Sequence, residues 1–349
     1  MLKKLLILVF GILLPLAAVV AVFVGYGYVF ENNVNLSAGE EYVVFVNEED
    51  DPRDIFNELV AAKVLKNEDS FILVAQQKKW STAKPGCYIV KEGMSNNDLV
   101  NMFRAGLQTP ILVTINQVES VADVAGMAAK QLMIDSVAIF NALTNAEFLA
   151  EENLDYATVR SIIIPNTYEF YWNVSAQAFR DRLLKEYAGF WVGENKMLAE
   201  GLNLSPLEVS VLASIVEKET AKANEMPVVA GLYLNRLQKR MLLQSDPTVI
   251  YAKKLKEGKD IEISRVLYAD LEIDSPYNTY KYTGLPPAPI TIPTLQALMG
   301  VLHADNHNYI FMCADPERPG YHSFAANLNQ HNVNKQKYVK WLNDNKIMR

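Results

Sequence analysis

The stretch Ser205-Pro206-Leu207-Glu208-Val209-Ser210-Val211-Leu212-Ala213-Ser214-Ile215-Val216-Glu217-Lys218-Glu219-Thr220 opens with a capping box and a proline at the first helical position, which together predict a helix start. At about 100° per residue, Leu207, Val211, Leu212, Ile215 and Val216 form a broad apolar face, and Ser210, Ala213, Ser214 and Ala221 an opposite face of small residues. Glu217 is centred on the small face and Glu219 points into the apolar one. An acid on a helix is ordinarily solvated. A Glu among small residues has a second reading, a carboxyl facing a cleft that a substrate approaches closely. A Glu on an apolar face is partly desolvated, which raises its pKa and suits a general acid. Periodicity leaves the choice open, and Lys218 and Lys222 are available to pair with either acid.

Downstream, Met226-Pro227 starts another helix to about Lys239, and Ser245-Asp246-Pro247-Thr248 again supplies a cap and a first-turn proline. Tyr277-Asn278-Thr279-Tyr280 follows, then Gly284-Leu285-Pro286-Pro287-Ala288-Pro289-Ile290, whose prolines predict a rigid, extended segment. Tyr, Asn and Gln beside rigid turns suit sugar recognition, aromatic faces covering pyranose rings and amides bonding hydroxyls and acetamides. Gln244, Asp246, Tyr277, Asn278 and Tyr280 are therefore the substrate-binding candidates. The plainer reading is a proline-stiffened loop whose tyrosines pack. Tyr309–Cys313 and Tyr321–Phe324 read as a β-hairpin.

Upstream, residues 31–40 read as a polar stalk. Tyr42–Val46 is a strand candidate, Pro52 to about Ala62 and Asn67–Lys78 are helices, Cys87–Val90 a strand, and Ser95 caps a helix that Gly106 ends. Strand, two helices and strand within 41–109 make a small α+β module, LysM-like in its order. A glycan-binding role and a ligand-free spacer are both open for it. Pro110 marks a boundary, after which Ile111–Ile115 is a strand candidate and Val118–Leu132, Asp135–Leu143 and Gln177–Tyr187 look helical. The fold class is α+β.

At the N-terminus, Lys3 and Lys4 are the only charges before Glu31, which leaves Leu5–Phe30 uncharged. That run exceeds the roughly 20 residues a helix needs to cross a bilayer, and Tyr26 and Tyr28 fall where an interfacial belt sits. The positive-inside rule puts residues 1–4 in the cytoplasm, 5–30 in the membrane and everything after Phe30 outside. A cleaved signal peptide is the rival, against which stand the length of the run and the want of a clean cleavage site after it. Of the 349 residues, 50% are hydrophobic and 21% charged, which excludes a disordered chain and fits two folded domains. A net charge of −7 without a basic tract argues against a nucleic-acid binder. Two cysteines, Cys87 and Cys313, supply no disulfide framework and read as free buried thiols, though export would permit a disulfide between them. His303 and His307 flank Asp305, but no His-Glu-x-x-His accompanies them, so no metal is expected.

Glu217-Lys218-Glu219-Thr220 on its capped helix, Gln244-Ser245-Asp246-Pro247-Thr248-Val249, Tyr277-Asn278-Thr279-Tyr280 and Gly284-Leu285-Pro286-Pro287 stand in the order of the MltG (YceG-like) endolytic murein transglycosylases, which they resemble. Lys84-Pro85-Gly86-Cys87-Tyr88, Pro165-Asn166-Thr167-Tyr168-Glu169-Phe170, His322-Ser323-Phe324 and His331-Asn332 resemble further blocks of that family, so the likeness spans about residues 40–345. The chain departs from the family at Asn116-Gln117-Val118-Glu119, where Pro-Glu-Gly is usual, and at Asn166, where an acid is usual.

The resemblance implies a single-pass protein of the bacterial inner membrane with its catalytic domain, 110–349, outside the cytoplasm. It implies internal cleavage of peptidoglycan strands at the MurNAc–GlcNAc β-1,4 bond, a 1,6-anhydro-MurNAc product end and a role in terminating nascent strands. Glu217 corresponds to the catalytic acid and base, with Glu219 supporting, and no cofactor or metal is involved. Partners on this reading are glycan strands, the membrane and peptidoglycan synthases or elongation proteins. A lysozyme-type muramidase and a non-catalytic wall-binding scaffold are the alternatives.

Overall fold

The computed structural model describes residues 9–258, 261, 263 and 265–346, so Lys3, Lys4 and the first residues of the expected span lie outside the described residues. Val9–Phe30 forms a helix, a π-helical turn at Val9–Leu13 running into α1, Leu14–Phe30. Among the described residues it is the one helix long and apolar enough to cross a membrane, with mean hydropathy 2.5 and no buried residue.

The chain divides into two compact units, the first running to Val113 with Gln131–Met133 and Glu169–Val174 added. In this unit β1, Glu41–Val46, pairs antiparallel with β2, Gly86–Lys91, so that Tyr42 lies opposite Val90 and Val46 opposite Gly86. Between them, α2, Pro52–Ala61, begins with a capping box of Asp51 and Asp54 behind a first-turn proline, and α3, Glu68–Gln77, is capped by Asn67. Helix α4, Asn96–Ala105, is boxed by Ser95 and Asp98 and ends at Gly106, whose φ of 73° favours glycine. The expected strand–helix–helix–strand order is thus present, over a core of Val44, Val46, Leu59, Phe71, Tyr88 and Phe103.

Within the stretch 31–40, expected as a polar stalk, residues 32–34 are tied into the folded unit, while most of 35–40 is exposed. Val34 is fully buried and bridges to Leu65, and Asn32 bridges to Ser95. The buried Asn33 side chain donates to Asn67 O at 2.9 Å and to Asn96 Oδ1 at 2.7 Å, and accepts from Asn67 N–H at 2.8 Å. A polar, small composition reads as solvated stalk, but a buried amide whose bonds are all made is as much a core element as a valine.

Beyond this, β3, Ile111–Ile115, pairs with β4, Asn166–Phe170, as a separate ribbon. Helices α5, Val121–Ala129, α6, Ser136–Leu143, and α7, Ala146–Glu151, lie between them in sequence. Helix α5 starts three residues later than its pattern predicts because Ser120 and Asp123 form the capping box that fixes its first turn. Helix α8, Ala176–Phe190, and α9, Glu194–Gly201, lead to α10, Pro206–Glu219, which begins as its Ser205–Glu208 box predicts. Then come α11, Met226–Gln238, α12, Asp246–Glu257, α13, Leu295–Leu302, the hairpin of β5, Phe311–Ala314, and β6, His322–Ala325, and a closing helix α14, Leu328–Asp344.

Helix α10 is the centre of the second unit. Val209 through Val216 are all buried, so the helix is covered on both of its faces, and it packs on α11, α12 and α13. The small face does not open to a cleft. Ser214 Oγ donates to Val211 O at 2.7 Å and accepts the N–H of Ile290 at 3.0 Å, and Ala288, Ile290 and Ile292 are buried. The small residues admit the extended proline segment. Helix α11 carries a similar close approach at Gly231, where a Cβ would lie 2.3 Å from Asp305 O and 2.8 Å from His307 Nε2. His307 is a half-buried histidine held at both ring nitrogens: Nε2–H faces Val228 O at 2.9 Å while Nδ1 accepts from Tyr309 N–H at 3.1 Å. Among the described residues no cluster suited to a metal ion occurs.

Candidate active site

The last turn of α10 carries both acids to different places. Glu217 Oε2 accepts the backbone N–H of Thr294 at 2.5 Å. Thr294 is the N-cap of α13, so this carboxylate sits at a helix N-terminus, where partial positive charge favours it. Glu217 is half-exposed, its carboxylate is engaged by Thr294, and it is not among the residues lining the cavity beside Glu219.

Glu219 instead lines a cavity of about 230 Å³ with Tyr233, Arg236, Gln244, Asp246, Tyr280 and His322. Its Oε1 accepts from Tyr233 Oη at 2.7 Å and from Ser245 Oγ at 2.5 Å. Burial pushes the carboxyl above its ordinary value of 4.5, against the two hydroxyl donors, which favour the ionised form. Because both donors go to Oε1, a protonated Glu219 carries its proton on Oε2. The raised value also fixes a sign. Glu219 contributes most to stability below its unfolded-state pKa, and that contribution is lost as pH rises through the raised folded value. Melting curves from pH 4 to pH 8 are therefore expected to move steadily in favour of Glu219→Gln over wild type. A constant difference between the two proteins across that range would refute this.

The segment 242–248 that delivers Ser245 is held from both sides. Arg236, buried on α11, donates to Leu242 O at 3.1 Å, Leu243 O at 2.9 Å, Gln244 Oε1 at 3.3 Å and Ile310 O at 2.7 Å. Gln244 adopts φ 53°, an uncommon backbone for a residue with a side chain, and its N–H bonds Thr279 O at 3.1 Å. That bond and the Arg236 contacts hold the strained turn in place. Ser245, fully buried, caps nothing: its N–H bonds Thr279 Oγ1 at 3.0 Å, and its hydroxyl serves Glu219 rather than the first turn of α12.

The other sequence candidates separate into two groups. Asp246 and Gln244 are exposed and line the cavity, and Tyr280 Oη donates to Asp246 Oδ1 at 2.5 Å. Tyr277 and Asn278 do not reach it. Tyr277 is buried against Tyr251, with ring centroids 4.8 Å apart, and Asn278 Nδ2 holds the carbonyls of Leu271 and Ile273, each at 2.8 Å. Their expected substrate contacts are corrected: both build the loop that places Thr279 and Tyr280. Sequence reasoning misses Tyr233, Ser245, Arg236 and His322, since each meets Glu219 or its cavity through contacts between distant parts of the chain. Lys218 pairs with neither acid of its helix. It meets Glu119 at 2.5 Å on the surface, while Lys222 lies over the Tyr321 ring.

Compared with known proteins, residues 44–337 match the YceG-like family. The chain is 29% identical over 298 residues to a Bacillus subtilis (strain 168) protein named endolytic murein transglycosylase, covering 80% of each. It is 26% identical over 349 residues to a Streptococcus pneumoniae (strain D39) protein of the same name, covering 91% of this chain and 62% of that one, so it spans less than two thirds of that relative. A crystal structure of a protein described as yceG-like, from Listeria monocytogenes, matches with a TM-score of 0.54 and 25% identity, over 85% of this chain and 99% of that one.

Proposed function

The chain belongs to the YceG-like family, and from that premise we propose that it is an endolytic murein transglycosylase whose general acid and base is Glu219. The observation that carries the choice of Glu219 is its carboxyl on the polar cavity, with Oε1 engaged by Ser245 and Tyr233. Glu217, bonded to Thr294 N–H, is on this reading the structural acid of the pair.

Protonated Glu219 gives its Oε2 proton to the glycosidic oxygen as the bond from C1 of MurNAc breaks. The cationic C1 is stabilised by the sugar's own acetamide. Ionised Glu219 then takes the proton of the C6 hydroxyl, whose oxygen closes on C1. One C–O bond breaks, one forms, the proton returns to Glu219, and no water is consumed. Ser245 and Tyr233 donate to Oε1 throughout, which stabilises the carboxylate that exists between the two steps.

The βααβ order of the first unit supports a LysM-like module, and the helix Val9–Phe30 supports a single-pass anchor in the inner membrane with the N-terminus cytoplasmic. Peptidoglycan strands are the substrate, and synthases of the same strands are the partners that such an anchor favours. Asp246 on the same cavity is the observation that favours hydrolysis instead, since a second carboxylate can activate water. Mass spectrometry of digested peptidoglycan separates the two. Strand ends lighter by one water, the anhydro form, are expected, and reducing ends in their place would establish a muramidase.

A further inference from the structure

Glu225 is buried at 4% exposure and grips His322 twice: Oε1 accepts the His322 backbone N–H at 2.7 Å, and Oε2 lies 3.0 Å from His322 Nδ1. A carboxylate facing a ring nitrogen accepts, so Nδ1 carries a proton and the ring orientation is fixed. The His322 side chain keeps 19% exposure and lines the same cavity as Glu219. We propose that His322, oriented by Glu225, is a positioning residue that sets the charge state of Glu219 across this cavity. The consequence for catalysis rests on Glu219 being the acid.

The other groups facing the cavity leave this role to His322. Arg236 is charged throughout and donates to backbone carbonyls and Gln244. Tyr233, Tyr280 and Cys313 are pushed up by burial and stay neutral. Asp246 is held by the Tyr280 hydroxyl. The imidazole is the side chain of this set that can take a second proton, on Nε2, and become a cation while keeping its bond to Glu225. A protonated ring lowers the cost of the Glu219 carboxylate formed after proton donation, and a neutral ring does not. Coupling of this kind is reciprocal: ionised Glu219 must favour protonated His322 to the same extent.

The test uses the full-length chain in detergent, labelled with ¹⁵N-histidine and titrated by NMR in wild type and in Glu219→Gln. The chain has four histidines, and His322→Gln identifies the relevant signals, with Glu225→Gln as a second assignment should that variant not fold. The His322 midpoint is expected to fall by about half to one pH unit in Glu219→Gln, below the roughly 1–3 units of a close unshielded pair. In wild type the neutral ring is expected to carry its proton on Nδ1. In kcat/KM profiles, His322→Gln is expected to move the alkaline limb to higher pH. An unchanged His322 midpoint in Glu219→Gln overturns the proposal, as does a rate loss equal at every pH. The NMR readout needs no activity, whereas full cleavage by Glu219→Gln would overturn the assignment of the acid and leave the coupling result standing.

Discussion

Glu219→Gln is expected to lose about 10³-fold or more of strand cleavage, at the upper part of the range for general acid–base groups, because one carboxyl serves both proton transfers. The variant keeps the shape and the acceptor oxygen that Ser245 and Tyr233 bond, so circular dichroism and melting are expected to show a folded protein. Glu217→Gln provides the contrast. Its amide oxygen still accepts the Thr294 N–H, and what it loses is a charge at the N-terminus of α13, worth about 0.3–1 kcal/mol. Cleavage by Glu217→Gln is expected to stay near wild type. Zymography of the two variants side by side, with the soluble products quantified, decides between the acids. Loss of cleavage in Glu217→Gln with retention in Glu219→Gln would reverse the assignment.

The second large effect is structural. Gly231→Ala places a methyl group 2.3 Å from a backbone oxygen, Asp305 O, and 2.8 Å from the His307 ring, which is itself bonded at both nitrogens. No flexible side-chain end is available to move aside, so α11 or the turn at 305–307 must shift. Overpacking of this severity is expected to cost about 3 kcal/mol, the upper end of the usual range. For a unit of this size that corresponds to a fall in melting temperature of roughly 10 °C. Thermal denaturation followed by differential scanning calorimetry measures it. A melting temperature within a degree of wild type would show that the close approach is not a constraint. Gly126, with nothing within 4 Å of its ideal Cβ, is the control at which alanine is expected to be tolerated.

Helix α10 is legible in the sequence because its start is local: Ser205, Pro206 and Glu208 are within one turn of each other, and the capping box forms from them alone. The small face is legible as well, but what covers it is not, because Ile290 and Thr294 lie more than seventy residues away. The partners of Glu219 are nearer, Tyr233 at 14 residues and Ser245 at 26, but still beyond the reach of a local pattern. Ser245 carries a cap signal by its position before Asp246 and Pro247, yet its hydroxyl turns to α10. Within Tyr277-Asn278-Thr279-Tyr280 the aromatic and amide residues read as sugar binders. It is Thr279, buried at 2% exposure, that ties the block to Ser245 and Thr248. Local chemistry thus identifies the helix and its acids, and tertiary pairing decides what each acid faces.

In the first unit, the Asn96 side chain donates to Tyr28 O at 2.9 Å, and Val34 is buried a few residues after the helix ends. The helix that supports a membrane anchor therefore passes into folded structure without slack. On the anchoring proposed above, a module joined in this way would hold its distance from the bilayer, where one on a loose tether would not. Were the module to bind glycan, that site would then sit at a set height, and the join between helix and module would gauge distance from the membrane surface.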